Sequence, residues 1–354
     1  MPRAPEPVVA GAACGKASLL ASPPELATRG PWAVGVRTVR ADDLVLEVWY
    51  PARPGSDRGA PPVRYDLRSV MPAAEAAKVP DAASPWIACE CARDLPVDDT
   101  HGPYPVVVFL HGAASFRGQS TFLMTHWASR GFVVVAPDLP GVGLNAALGG
   151  EEQAAPLGAA NQVLDVLAKA GASDPFAFAR ASLGRTRALV GHSLGSILST
   201  SVADRPEVEV RIAMAGFAQP DESAAWLVLV GDHDGIAYDP ELPKRFATQP
   251  GSARLGVVHG AGHLAFSDLC TLGADRGGAI AIAKAYGITV PPILEKLAMD
   301  GCRPTDAPFA TTAPVIRAIT AGVLEEKLRC DPRATRAITS LAGSAITVVE
   351  NPIR

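Results

Sequence analysis

The chain has 354 residues, 48% hydrophobic and 19% charged, which is enough apolar material for a large core and too little charge for a disordered protein. Its net charge is −4, and Lys and Arg are scattered rather than gathered into a basic stripe, which argues against a nucleic-acid partner. No apolar run of about 18 residues or more is present, which excludes an ordinary transmembrane helix.

Residues 1–31 are rich in Ala, Pro and Gly without periodicity and are expected to form a flexible leader or the remnant of a targeting segment. The run Ala12-Ala13-Cys14 could end a bacterial lipoprotein signal if translation began further upstream. A single domain is expected over 32–354. Residues 34–39 (VGVRTV) and 44–50 (LVLEVWY) flank a short polar turn and predict an antiparallel hairpin. Residues 51–102, dense in Pro, Gly and Asp, read as a loop-rich insertion with one short helix over 73–78.

From Pro105 the pattern becomes strand–helix alternation. Unbroken apolar runs at 106–110 (VVVFL) and 132–136 (FVVVA) bracket a helix over 119–130, in which Phe122, Leu123 and Trp127 share a face. Leu157, Ala160, Leu164 and Leu167 mark another helix, closed by Gly171. Further strands are predicted at 187–190, 212–215, 226–230 and 255–258. Such runs belong to a mostly parallel central sheet with helices on both faces, an α/β fold. A second insertion, 265–312, carries predicted helices over 278–286 and 292–299, and a closing helix is expected over 315–328.

The six cysteines are Cys14, Cys89, Cys91, Cys270, Cys302 and Cys330, and six cysteines permit 15 pairings. Disulfides in an oxidising compartment and buried thiols both fit the count. Cys270 and Cys302 bracket most of the second insertion and form a candidate bridge. The Cys89/Cys91 pair has no partners at zinc spacing, and no metal or cofactor is expected. A secreted or cell-envelope location is favoured over the cytoplasm on the disulfide reading.

The chemistry concentrates at 191–195 (GHSLG), directly after the strand at 188–190 and before a helix-like run at 197–202. That strand–turn–helix setting exposes the hydroxyl of Ser193 and places the Leu194 N–H at a helix start, where an anion is favoured. A serine needs a base, and the base an orienting acid, in the chain order Ser, Asp, His. His263, in a Gly-flanked loop after the last predicted strand, is preferred as base over His259. Asp234 is preferred over Asp232 as the acid, because it lies further beyond its strand end. The loop after 106–110 begins His111-Gly112-Ala113, whose Ala113 N–H would join that of Leu194 as an oxyanion donor.

On these residues the sequence resembles the α/β-hydrolase superfamily, and within it the branch of platelet-activating factor acetylhydrolases and bacterial polyester hydrolases. The supporting segments are 47–51 (EVWYP), 109–117 (FLHGAASFR), 128–132 (ASRGF) and the GHSLG of 191–195. The resemblance implies an α/β-hydrolase fold with Ser193 as nucleophile, His263 as base, Asp234 as acid, and Ala113 and Leu194 as oxyanion donors. Ala113 departs from the aromatic residue usual in the polyester hydrolases, so the flat aromatic clamp of those enzymes is missing. Ser196 stands where a second glycine is common.

The expected activity is cleavage of a small-molecule, lipid or polyester carboxylic ester through an acyl-enzyme, without a cofactor. The alternatives are acyl transfer or thioester cleavage by the same residues, and a non-catalytic binding module.

Overall fold

The computed structural model describes residues 7–9, 18–150, 156, 158–169, 174–202, 205–216, 219–248 and 253–350. Cys14, Leu157 and Gly171 lie outside them. Two short strands, β1 (Pro7–Val9) and β2 (Ser18–Leu20), pair antiparallel ahead of the main sheet. Residues 19–31, expected to belong to a loose leader, are instead packed onto the fold. Leu19, Leu20 and Leu26 are buried, and the buried Arg130 guanidinium donates to the carbonyls of Pro23 and Thr28 while pairing with Glu325 at 2.7 Å. Apolar side chains and a buried cation in need of acceptors hold this stretch, and neither gives a periodic signal in sequence.

The expected hairpin is β3 (Ala33–Ala41) with β4 (Leu44–Ala52). The first insertion is more ordered than its composition suggests. It holds a second hairpin, β5 (Val63–Asp66) with β6 (Trp86–Cys89), helix α1 (Ala73–Ala76) and the two-residue strand β7 (Ala92–Arg93). Its polar composition is absorbed locally, since Asp66 accepts from both Arg68 and Ser84.

The central strands are β8 (Tyr104–Leu110), β9 (Val133–Pro137), β10 (Leu183–His192), β11 (Val208–Met214), β12 (Ala225–Gly231), β13 (Ala253–Val258) and β14 (Ile346–Glu350). They join β3, β4 and β7 in one ten-stranded sheet of order β14-β13-β12-β11-β10-β8-β9-β4-β3-β7. The block from β13 to β9 is parallel, while β14 and β4 pair antiparallel with its two margins. Every residue of β8 is buried, as a parallel strand covered on both faces should be.

The pleat divides those side chains between two cores. Val107 and Phe109 meet α2 (Thr121–Ser129) and α9 (Phe309–Leu328), while Val106, Val108 and Leu110 join the cluster that includes α4 (Ala159–Ala168) and part of α5 (Leu194–Thr200). Helix α9 begins six residues before the expected Val315 and carries Pro314 inside it. Its first residue, Phe309, packs edge-on against Phe122 at 5.0 Å between centroids, a tertiary contact that outweighs the proline.

The remaining helices are α3 (Leu144–Gly149), α6 (Leu242–Phe246), α7 (Gly278–Ala285), α8 (Pro292–Met299) and α10 (Pro332–Thr339). Helices α7 and α8 fill the second insertion as expected. Among the described residues no helix is long and apolar enough to cross a membrane.

Every cysteine among the described residues is disulfide-bonded. Cys89 bonds Cys91, Cys270 bonds Cys302, and Cys330 is also disulfide-bonded.

Candidate active site

The chain runs from β8 to β9 on one side of β8 and then returns to place β10 on the other. At such a reversal two loops leave adjacent strand ends in opposite directions and open a crevice between them. The loops here are 111–119, after β8, and the Ser193 turn, after β10. A Cβ added to Gly112 would lie 3.2 Å from the Ser193 Cβ, so the two loops touch.

Ser193 has φ 54° and ψ −120°, a conformation rare for a residue with a side chain. The neighbouring glycines explain how it is held. A Cβ on Gly191 would meet the Gly195 carbonyl oxygen at 2.1 Å, and one on Gly195 would meet the Leu110 carbonyl oxygen at 2.0 Å. Only bare backbone lets the turn close this tightly against β8. Ser196 fits where a second glycine is common because its hydroxyl donates to the carbonyls of Gly191 and Met214 at 2.8 and 2.9 Å.

The Ser193 Oγ lies 2.9 Å from His263 Nε2, and His263 Nδ1 lies 3.0 Å from Asp234 Oδ2. The carboxylate accepts the Nδ1 proton, which leaves Nε2 free to accept from the serine. The other Asp234 oxygen accepts the N–H groups of Ile236 and Ala237 at 2.8 and 2.9 Å. Burial pushes the Asp234 carboxyl up, but the His263 hydrogen bond and charge and these two N–H groups together hold it below its usual value.

The rival residues form a separate pair. His259 Nδ1 bonds Asp232 at 2.8 Å, and its Nε2 meets the Thr347 hydroxyl at 2.9 Å on the outer strand β14. Neither His259 nor Asp232 reaches Ser193 in this arrangement.

The Ala113 N–H makes no hydrogen bond among the described residues, and the Leu194 N–H, first in α5, has no helical acceptor. The loop carrying Ala113 is braced on both sides. Gly112 N–H donates to the buried Gln119 Oε1 at 3.0 Å, and His111 Nε2 accepts the Leu139 N–H at 2.9 Å while Nδ1–H donates to the Gly112 carbonyl. Burial lowers the His111 pKa, which favours the neutral ring that this pattern needs.

Three residues at the site gave no functional signal in sequence. Gln119 was legible only as part of a helix start. His192, inside the motif, donates from Nε2 to the His263 carbonyl at 2.9 Å, with the two rings 5.1 Å apart. Burial, aided by the nearby His263, pushes its pKa down to about 3, so it stays neutral beside the His263 ring. Asp300, 37 residues beyond His263, accepts the His263 backbone N–H at 2.9 Å.

A cavity of about 440 Å³ opens beside the site at Ala113 and Leu264. It is walled by both insertions together with α3, and the Cys270–Cys302 disulfide forms part of the wall.

The model of the chlorophyllase family matches residues 94–215, a stretch that holds β8, β9, β10 and the GHSLG turn. No curated protein sequence matches the chain significantly. Among solved structures, the ferulic acid esterase from Streptomyces cinnamoneus is similar, with 21% identity and a TM-score of 0.60 over 86% of this chain and 92% of that one. The chain has the α/β-hydrolase fold.

Proposed function

We propose that the protein hydrolyses carboxylic esters through an acyl-enzyme formed on Ser193. The observation that carries this reading is the continuous hydrogen-bond relay from Ser193 Oγ through the His263 ring to Asp234. His263 Nε2 takes the hydroxyl proton as Oγ attacks the ester carbonyl. The carbonyl oxygen, now carrying the negative charge, is met by the N–H groups of Ala113 and Leu194. Asp234 keeps the ring in the required tautomer and stabilises it while it is charged.

Collapse of the tetrahedral intermediate passes the His263 proton to the departing alcohol. Water then gives a proton to His263 and attacks the acyl carbon, and as this second intermediate collapses His263 returns the proton to Ser193 Oγ, which releases the acid and restores the enzyme. Every step uses groups of this chain. The matches to the chlorophyllase family model and to a ferulic acid esterase support ester cleavage as the reaction class.

The test is a fluorophosphonate probe, from which Ser193 Oγ displaces fluoride and becomes phosphonylated. Labelling should map to Ser193 and abolish turnover of p-nitrophenyl acetate, and Ser193→Ala should neither label nor turn over. Labelling at another residue, or an active Ser193→Ala, would overturn the mechanism.

A further inference from the structure

We propose that the cavity beside Ala113 holds one long hydrocarbon chain of the ester, so that the natural substrates are lipid-like esters rather than short or aromatic ones. This rests on the ester-hydrolase reading given above. Among the described residues that line the cavity, Arg68 alone has a side chain with nitrogen or oxygen, and the rest are of the kind of Leu67, Leu148, Ile282, Ile288 and Leu297. Arg68 is already committed: it bonds Asp66 at 2.6 Å, Asp81 at 2.8 Å and the Val79 carbonyl at 2.9 Å. Its charge is met by these two carboxylates, which leaves it poorly placed to recognise an anionic head group.

A hydroxycinnamoyl group would bury a phenol and a methoxy oxygen among these walls with no side chain to bond them, at a cost of about 1–3 kcal/mol per stranded hydroxyl. A saturated or isoprenoid chain has no such groups and gains with every methylene buried. The cavity meets the site at Ala113 and at Leu264, next to the oxyanion donor and the base, so the chain would run from the reacting carbon into the space under the insertions.

The experiment measures kcat/KM in two series: p-nitrophenyl esters from acetate to dodecanoate, and acetate esters of alcohols from 1-butanol to 1-dodecanol. A rise in the first series assigns the chain to the acyl side, and a rise in the second to the alcohol side. The rise should be up to about fourfold per methylene, and it should collapse in Ala298→Trp and Ala283→Trp, which fill the cavity. Flat profiles in both series would overturn the proposal, as would methyl ferulate turned over better than every long-chain ester, or folded Trp variants that keep the rise. If no ester is cleaved, the functional reading fails first. Thermal-shift titration then decides the cavity: 1-dodecanol should raise the melting temperature well above 1-butanol in the wild type and not in Ala298→Trp, and equal shifts would overturn it.

Asp300 carries a second and independent inference. Its Oδ1 accepts the His263 N–H at 2.9 Å, its Oδ2 accepts the Gly235 N–H at 3.1 Å, and its own carbonyl accepts the Leu264 N–H at 2.8 Å. One buried carboxylate at the end of α8 thus spans the base loop and the acid loop. We infer that Asp300 is a positioning residue that fixes the His263–Asp234 distance from the second insertion.

In Asp300→Asn one of the two N–H groups faces an amide NH₂ and loses its acceptor, and the 2.8 Å ion pair of Asp300 with Arg303 is lost as well. The kcat for p-nitrophenyl acetate should fall about tenfold or more with KM nearly unchanged, the pattern of a misplaced base. Asp306→Asn is the control, because Asp306 accepts from the Gly301 and Arg303 N–H groups and holds the same segment, and it meets the acid loop only at the His233 ring, 3.4 Å away, without bonding the His263 or Gly235 backbone. Wild-type kcat in Asp300→Asn would overturn the inference, as would an equal loss of kcat in Asp306→Asn at matched melting temperature. Should Asp300→Asn fail to fold, Asp300→Glu, which keeps the charge and moves the acceptor, is judged by the same two readouts.

Discussion

Asp232 is bonded to His259, at 2.8 Å, while its other oxygen accepts the Gly260 N–H at 2.6 Å. The acid two residues further along, Asp234, turns the opposite way and is spent on His263. Two carboxylates on one strand-end loop therefore serve two histidines. The expected result is that Asp234→Asn lowers kcat by more than about a hundredfold, since the amide no longer stabilises a charged ring, whereas Asp232→Asn changes kcat little. Steady-state kinetics on the two variants decide it, and an exchange of their effects would assign the acid to Asp232.

Backbone strain at Ser193 gives a prediction about stability. At φ 54° and ψ −120° a glycine is comfortable and any side chain is not. Ser193→Gly and Ser193→Ala both remove the hydroxyl, so the comparison between them reads the strain less the cost of glycine's extra freedom in the unfolded chain. Ser193→Gly should be the more stable of the two by about 1–2 kcal/mol in chemical denaturation. A Ser193→Ala protein more stable than Ser193→Gly would mean that the turn stores no such energy.

The pattern of apolar runs made the central sheet legible, because the middle of each strand of the parallel block is buried on both faces; a polar residue there needs partners, as the buried Arg211 of β11 has in the Ser199 and Val202 carbonyls. The order Ser193, Asp234, His263 was legible for a related reason: each residue ends or follows a strand whose run marks its place. Asp300 was invisible, since its role depends on a fold-back of 37 residues that no local period records. Strand β14 was missed because a margin strand is covered on one side only and its run, 346–350, is short and mixed in character. The packing of residues 19–31 was hidden because its contacts with the buried Arg130 are made by carbonyl groups, which every residue possesses.

Buried Asp268 makes stability fall with rising pH. Burial raises its carboxyl from 3.8 to about 7, even though the Phe122 N–H, the Thr121 hydroxyl and the charge of Arg317 all favour the ionised form. The folded chain holds this proton where the unfolded chain has already lost it. Its contribution is therefore complete below about pH 4 and declines until about pH 7, by about 4 kcal/mol at 1.36 kcal/mol per unit. Asp268→Asn keeps an acceptor oxygen and cannot ionise. The variant should gain on the wild type in melting temperature between pH 5 and pH 8, and parallel curves would show that Asp268 ionises freely.

The Cys270–Cys302 disulfide joins stability to substrate choice. It closes a separation of 32 residues, which in the chain-entropy model contributes about 3–4 kcal/mol by restricting the unfolded chain. Both cysteines also line the apolar cavity, and Cys302 lies two residues from Asp300. Replacing both with serine should therefore do more than lower the melting temperature. Loosening the wall should reduce kcat/KM for dodecanoate or dodecyl esters more than for p-nitrophenyl acetate, because only the long chain depends on that wall. The Cys89–Cys91 disulfide lies in the first insertion and neither of its cysteines lines the cavity, so a Cys89→Ser, Cys91→Ser protein is the matched control. A loss of melting temperature with an unchanged ratio of long-chain to acetate turnover in the Cys270→Ser, Cys302→Ser protein would confine this bridge to stability and leave the cavity wall to be held by packing alone.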